Sequence, residues 1–302
     1  MMKKITILGS INVDVILKIA RLPKPGETMK MKSLATAGGG KGANQAIAAV
    51  RSGAATTFIG KVGNDDYGKK MLTLLKKDSI DTTNVVVKKD GQTGQAYILL
   101  QDSGQNSIII NGGTNLEITA ADVINAQDSI KNADFIIAQF EVKLERIMEA
   151  FSIAHKNKVT TILNPAPAQS IADDLLKITD LIIPNEIEAQ MLTGIEITDK
   201  DTAAAAAKIL REKGTRNVII TLGSKGAYYL TEDDEGLIPA LKVKAIDTTA
   251  AGDTFIGALC SQLENNLANI KEAIEYATKA SAITVQTLGA IPSIPTRKQI
   301  NN

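Results

Sequence analysis

Short apolar runs alternate with amphipathic stretches along the chain. The runs are Ile5-Thr-Ile-Leu8, Thr57-Phe-Ile59, Phe135-Ile-Ile137, Thr161-Ile-Leu163, Leu181-Ile-Ile183 and Val218-Ile-Ile220. A run apolar at every position fits a parallel strand covered on both faces, not a strand with one wet face. Between the runs, Ala43, Ile47 and Val50 recur at helical spacing, as do Ile209 and Leu210 after Ala203 to Ala207. Strand and helix in alternation predict an α/β fold: a central, mostly parallel sheet flanked by helices.

A second periodicity is laid over the first. From Asn12 to Ile19 apolar and polar residues alternate, with Val13, Val15, Leu17 and Ile19 on one face. Met29, Met31 and Leu34 continue that period around Lys30 and Lys32. Residues 95 to 100 and 106 to 111 flank Asp102-Ser-Gly104, a turn signal. Period two marks half-exposed strands. The expectation is one domain over 1–302 with a small β-sheet lid, built from insertions at about 12–36 and 92–112. The lid's apolar face can pair with a second copy, giving a homodimer.

Composition narrows the chemistry. With 44% hydrophobic residues, 3% aromatic and no Trp, the 302-residue chain fills its core with Ile, Leu, Val and Ala. A net charge of +1, from 34 basic and 33 acidic residues, offers no electrostatic case for nucleic acid or an anionic membrane. Lys3 and Lys4 precede an apolar run that Asn12 and Asp14 soon interrupt, which is neither a signal peptide nor a membrane span. One cysteine, Cys260, excludes an intrachain disulfide and fits a reducing, cytoplasmic setting. The one histidine, His155, sits at what reads as an exposed helix end, so a Ser-His-Asp or His-metal site is not expected. Carboxylates, amides, lysines, backbone N–H groups and bound ions must carry the chemistry.

Four segments offer such groups. Asp247-Thr-Thr-Ala-Ala-Gly-Asp253 precedes an amphipathic helix carrying Phe255, Ile256, Leu259, Cys260 and Leu263. Small residues at 250–252 leave the first N–H donors open to a phosphoryl group. Asp253 in that first turn is either a proton acceptor for an attacking hydroxyl or an ordinary carboxylate answering the helix dipole. Gly38-Gly-Gly-Lys-Gly-Ala-Asn44 also opens a helix. It is neither a well-placed dinucleotide fingerprint nor a Walker A loop, since Gly42 follows Lys41. It reads as a glycine-lined surface where Lys41 and Asn44 donate to hydroxyls, or as a tight turn with a solvated lysine. Asn12 and Asp14, two apart on a strand, share a face and suit neighbouring hydroxyls, or simply form a polar edge. Asn185 and Glu188 suit a hydrated Mg²⁺ on nucleotide phosphates, or a helix capping box.

Together these segments resemble the PfkB carbohydrate kinase family over essentially the whole chain. Gly39-Gly-Lys-Gly-Ala-Asn44 with Gly53 and Gly63 resembles its N-terminal signature, and Asp247 to Asp253 its C-terminal one. Asn164-Pro-Ala-Pro-Ala168, Pro184-Asn-Glu186 and Thr221-Leu-Gly-Ser-Lys-Gly226 are similar to internal segments of its ribose-phosphorylating members. The resemblance implies transfer of the ATP γ-phosphate to the 5-hydroxyl of D-ribose. It implies Asp253 as base beside an anion hole at Ala251 and Gly252. Asn12, Asp14, Gly39, Gly40, Lys41, Gly42, Asn44, Glu141 and Asp253 would hold the sugar. Asn185, Thr221, Gly223, Ser224, Gly226, Gly252 and Thr278 would contact ATP, and Glu188 would order Mg²⁺ through water. An activating K⁺ would lie among Asp247, Thr249, Thr284, Thr287, Gly289 and Ser293. Ala250 departs from the family's usual glycine and is expected to stiffen the loop. The rivals are a PfkB-type kinase for deoxyribose, fructose, a nucleoside or a keto-deoxy acid, and a silent sugar-binding regulator on the same fold.

Overall fold

The computed structural model describes residues 2–302. Its strands, in chain order, are β1 (Lys4–Leu8), β2 (Asn12–Ile19), β3 (Ser33–Gly39), β4 (Ala55–Gly63), β5 (Asp81–Lys88), β6 (Gly94–Gln101), β7 (Asn106–Asn111), β8 (Phe135–Gln139), β9 (Thr160–Asn164), β10 (Leu181–Ile182), β11 (Asn217–Thr221), β12 (Ala227–Leu230) and β13 (Glu235–Ile238). Among the described residues they form two sheets. The larger has the order β13-β12-β11-β10-β9-β8-β1-β4-β5. It is parallel from β5 to β11, and β12 and β13 turn back antiparallel at the edge.

The apolar runs are these parallel strands, and their residues divide between two cores. Phe135 and Ile137 of β8 pack on one face with Ile47, Phe255, Leu259 and Ile274. Ile136 and Ala138 pack on the other with Ile147, Phe151, Ala206 and Leu210. Each such large side chain contributes about 1.5–3 kcal/mol by leaving water. Helices Lys41–Arg51, Ala251–Gln262 and Ile270–Thr284 thus cover one face, and Leu144–Lys156, Glu186–Thr193 and Lys200–Glu212 the other. From β1 the chain moves outward to β4 and β5, then returns to β8 on the opposite side of β1. The carboxyl ends of β1 and β8 therefore flank a topological switch point, where open α/β sheets form their ligand crevice.

The smaller sheet has the order β3-β2-β6-β7 and grows from that same end, because only Gly9-Ser10-Ile11 separates β1 from β2. Val13, Val15 and Ile19 are buried on one of its faces. The other face carries Asn12 and Asp14 near the large sheet. Farther out it carries Ile16, Ile98, Ile108 and Ile110, the last two 53% and 51% exposed. The alternation predicted for 12–19 is β2, and Asp102-Ser-Gly104 turns β6 into β7 with Gly104 at φ 84°. Met29 and Met31 lie outside any strand. β3 begins at Ser33, and Met31 is exposed instead of facing a partner. The edge strand β5 and the aromatic β12 follow none of the patterns read above. Among the described residues no helix is long and apolar enough to cross a membrane.

Candidate active site

Asn12 and Asp14 project from one face of β2, as a period of two requires. Beside them on that face are Gly39 and Ala37 of β3, and Gly94 and Ala96 of β6. These small residues are needed. A β carbon at Gly39 would sit 2.5 Å from Asp14 Oδ1, and one at Gly94 would collide with Asn12 Oδ1. Asn115 orients Asn12, donating from Nδ2 to its Oδ1 (2.7 Å) while gripping the Ile11 backbone N–H (2.9 Å) and carbonyl (3.2 Å). Asn12 Nδ2 donates onward to Glu141 Oε2 (3.3 Å). The same oxygen accepts from the Ser10 hydroxyl and from the Lys41 N–H (3.2 Å). Glu141, two residues past β8, thereby ties the end of β1 to the glycine-rich turn. Gly40 has φ 96° and passes so close to β2 that a β carbon would lie 2.8 Å from Asn12 N. Gly42 is buried; its missing side chain seats the helix against Gly9 and Ser10.

Asp253 lies in the first turn of Ala251–Gln262 and is buried. Asn44 Nδ2 donates to its Oδ2 and Gln45 Nε2 to its Oδ1, both at 2.9 Å. These bonds exist because the two helices touch at Gly257, where a β carbon would be 2.6 Å from Ala48 Cβ. At the helix start, Ala251 N–H is taken by Thr248 O (3.2 Å) and Thr254 N–H by Ala250 O (2.8 Å). Among the described residues Gly252 and Asp253 N–H have no backbone acceptor, which leaves them as unpaired donors, whereas Ala251, expected with Gly252 to form an anion hole, has its N–H engaged. A β carbon at Gly252 would meet nothing within 4 Å, so packing does not demand this glycine. Ala250, the N-cap, has φ 61°, a left-handed conformation that strains an alanine.

The charges are lopsided. Burial, then Glu141 and Asp253, push the Asp14 carboxyl up to about 6. Burial chiefly raises Glu188 as well, with Asp253 and Glu186 adding to it against the Asn185 N–H and Lys41. Burial alone would lower Lys41, but Asp253, Glu141 and Glu188 together hold its ammonium above the usual lysine range. Three carboxylates share the Lys41 ammonium and Asp14 adds a fourth beside two of them, an arrangement that favours further cations.

Just past β10, Asn185 and Glu188 form the capping box: Glu188 N–H donates to Asn185 Oδ1 (2.8 Å) and Asn185 N–H to Glu188 Oε2 (2.9 Å). Thr221 pairs with Asn185 through an isolated bridge, and Gly223–Lys225 forms a turn with Gly223 at φ 51° and Gly226 at φ 111°. Lys41, Asn164, Asn185, Glu188, Thr221 and residues 250–253 line one cavity of about 200 Å³. Asp247 Oδ1 accepts from Thr249 N–H (2.9 Å) and Oγ1 (2.6 Å), and its Oδ2 from Gly289 N–H (2.8 Å). Thr284 Oγ1 donates to Thr254 Oγ1 (3.1 Å), and Ser293 Oγ to Ala290 O (2.7 Å); both side chains are buried. Thr287 is exposed, and Thr278 is buried on its helix outside the cavity lining. Arg51 spans Asp78 (3.0 and 3.1 Å) and the carbonyls of Ile291 (2.9 Å) and Ile294 (2.7 Å), tying the helix Lys41–Arg51 to the loop that bears Ser293.

Of the expected site residues, Lys41, Asn185, Glu188, Thr221, Ala251, Gly252 and Asp253 line this cavity. Asn44 joins them through Asp253, and Asn12 is linked to the glycine-rich turn through Glu141. Gln45, Gly94, Asn115, Gln139 and Gly257 went unread in the sequence. Gln139 had a signal, an amide closing an apolar strand. Gln45 had none beyond its place after Asn44.

The chain is 51% identical over 302 residues to a bifunctional ribokinase/ribose-5-phosphate isomerase A of Fructilactobacillus sanfranciscensis; it spans 56% of that longer protein. It is 47% identical over 302 residues to the ribokinase of Staphylococcus aureus, covering 100% of this chain and 99% of that one. An Arabidopsis thaliana ribokinase structure complexed with ribose and ATP superposes with a TM-score of 0.91 at 31% identity, covering 100% of this chain and 98% of the other. The pfkB family carbohydrate kinase pattern matches residues 2–297, and the chain belongs to that family.

Proposed function

We propose that the protein phosphorylates D-ribose at its 5-hydroxyl with MgATP, Asp253 taking the proton. One observation carries the reading: a buried carboxylate and two free N–H donors share a helix start, with Asn44 bonded to that carboxylate and Lys41 lining the same cavity. The 5-hydroxyl oxygen bonds to the γ-phosphorus, the bond to the β-bridging oxygen breaks, and the hydroxyl proton passes to Asp253 as ADP leaves. Gly252 and Asp253 N–H groups bind the equatorial oxygens as charge spreads over them. Asp14, ionised above about pH 6, accepts from a sugar hydroxyl, while Asn12 and Lys41 donate. Ribose is the acceptor favoured by the similarity to the two ribokinases above.

Magnesium would neutralise the phosphates, with Glu188 holding its waters. The excess of carboxylates suits that ion, and a single carboxylate suits Mg²⁺, which keeps most of its water. A potassium ion would fit beside Asp247, whose hydrogen bonds to Thr249 and Gly289 draw two loops together. The small sheet serves as a lid over the sugar, and its exposed Ile108 and Ile110 face pairs with a second copy. The protein works in the cytoplasm. A coupled assay of ADP release over ribose, deoxyribose, fructose, a nucleoside and a keto-deoxy acid, in matched K⁺ and Na⁺ salts, tests this. Ribose should turn over fastest, and faster in K⁺. Preference for another acceptor overturns the substrate, no turnover overturns the enzyme, and equal rates in both salts overturn the cation site.

A further inference from the structure

Asp253 is held by more than its neighbour Asn44. Gln45 is fully buried on the inner face of Lys41–Arg51. Its amide nitrogen has two hydrogens and two acceptors: Asp253 Oδ1 at 2.9 Å and Asn164 Oδ1 at 3.1 Å. Its carbonyl oxygen accepts from Gln139 Nε2 at 2.6 Å. Asn164 is fixed in turn, donating from Nδ2 to Ile183 O (3.2 Å). Each partner lies at the end of a different element: Gln139 closes β8, Asn164 closes β9, and Asp253 opens the helix. The orientation of Gln45 is dictated by chemistry. Rotating the amide by half a turn would set its carbonyl against a carboxylate and a second carbonyl oxygen, and its NH₂ against the NH₂ of Gln139. Gln139 thereby selects the rotamer that aims two donors forward.

We propose that Gln45 is the positioning residue for Asp253, and that Gln139 sets its direction; the proposal rests on Asp253 being the base. With Asn44 on Oδ2 and Gln45 on Oδ1, the carboxylate plane cannot swing toward or away from the sugar hydroxyl. A merely structural glutamine would hold three elements together, and its loss would lower stability without a selective loss of kcat.

The test compares Gln45→Met, nearly isosteric but without donors, with Gln139→Met and Asp253→Asn, following kcat, sugar KM and thermal stability. We expect Gln45→Met to lower kcat about tenfold to a hundredfold, since a hydrogen bond to a charged group is lost. Sugar KM should stay within about threefold, so that the loss falls on kcat and not on sugar binding. Gln139→Met should lower kcat in the same way by less, and it carries the test alone if Gln45→Met does not fold. A kcat within about threefold of the parent in the folded variants, or a loss that falls on KM instead of kcat, overturns the proposal. If Asp253→Asn itself turns over normally, the base assignment fails first, which separates the two outcomes.

Discussion

Where the sugar is proposed to bind, Asn12, Asn44 and Asp253 are buried and each is fixed by at least one side-chain hydrogen bond. Where the nucleotide is proposed to bind, Gly223–Lys225 is exposed, and the groups on offer are largely backbone turns and helix-end N–H donors. The difference follows from what each ligand presents. A sugar offers neutral hydroxyls that water imitates, so selection needs donors and acceptors held in place before binding. Phosphates offer concentrated charge, which unpaired backbone N–H groups bind whatever the side chain. Substitutions should therefore act through hydrogen-bond identity on the first side and through steric access on the second.

The largest expected effect lies where the halves meet. Asp253→Asn should reduce kcat by about 10²- to 10⁴-fold and leave sugar KM near its parent value, because the amide keeps the shape and loses the proton acceptor. Steady-state kinetics with ribose checks this, and near-normal turnover would remove Asp253 from the chemistry. Gly252→Ala is next and probes steric access alone. Open space surrounds that position, so the fold should gain about 0.5–1 kcal/mol in the helix. The methyl should crowd the phosphoryl group and lower kcat by about tenfold to a hundredfold. Calorimetry beside kinetics reads both, and a variant that is stabler and equally fast would sink the anion hole.

Asp14 gives a smaller effect with a definite sign. Its carboxyl keeps its proton up to about pH 6 in the fold but only to its ordinary 3.8 when unfolded. Its contribution to stability is thus complete below pH 3.8 and lost as the pH rises through 6. At pH 7 the ligand-free Asp14→Asn protein should be about 2–3 kcal/mol more stable than the parent, with a smaller gain at pH 5. Its sugar KM should rise. Denaturation curves at both pH values decide it, since an equal gain at each would contradict the burial of the charge. The smallest effect is expected at Ala250, where glycine would relieve the left-handed strain. Ala250→Gly should add about 0.5–1 kcal/mol of stability with little change in kcat, and a lower melting temperature would refute the strain.

Much of the fold was legible because buried parallel strands announce themselves as unbroken apolar runs, as at Phe135-Ile-Ile137. β5 was not legible: along Asp81–Lys88 only Val85 is buried, because an edge strand has little core to face. Met29 and Met31 kept a strand's alternation without a partner to pair with. In the site, Asp253, Lys41 and Asn44 were readable because they sit in dense local motifs. Gln45 and Asn115 were not, because their importance lies in partners 208 and 103 positions away. Ala250 looked like a stiffening substitution. Only its φ of 61° shows that the backbone there wants glycine.

The sequence by itself determined the α/β architecture, the two glycine-bearing helix starts and the residue types available for phosphoryl transfer. Each depends on local periodicity or on spacing within a few residues. Tertiary structure decided which N–H groups at 251–253 remain free, and that Gly42 and Gly257 serve packing. It also decided that Asp253 is gripped by amides from three other elements, directly or through one neighbour. Those outcomes depend on how closely two helices approach and where strands end, distances that hydrophobic burial across the whole sheet sets and no local motif encodes.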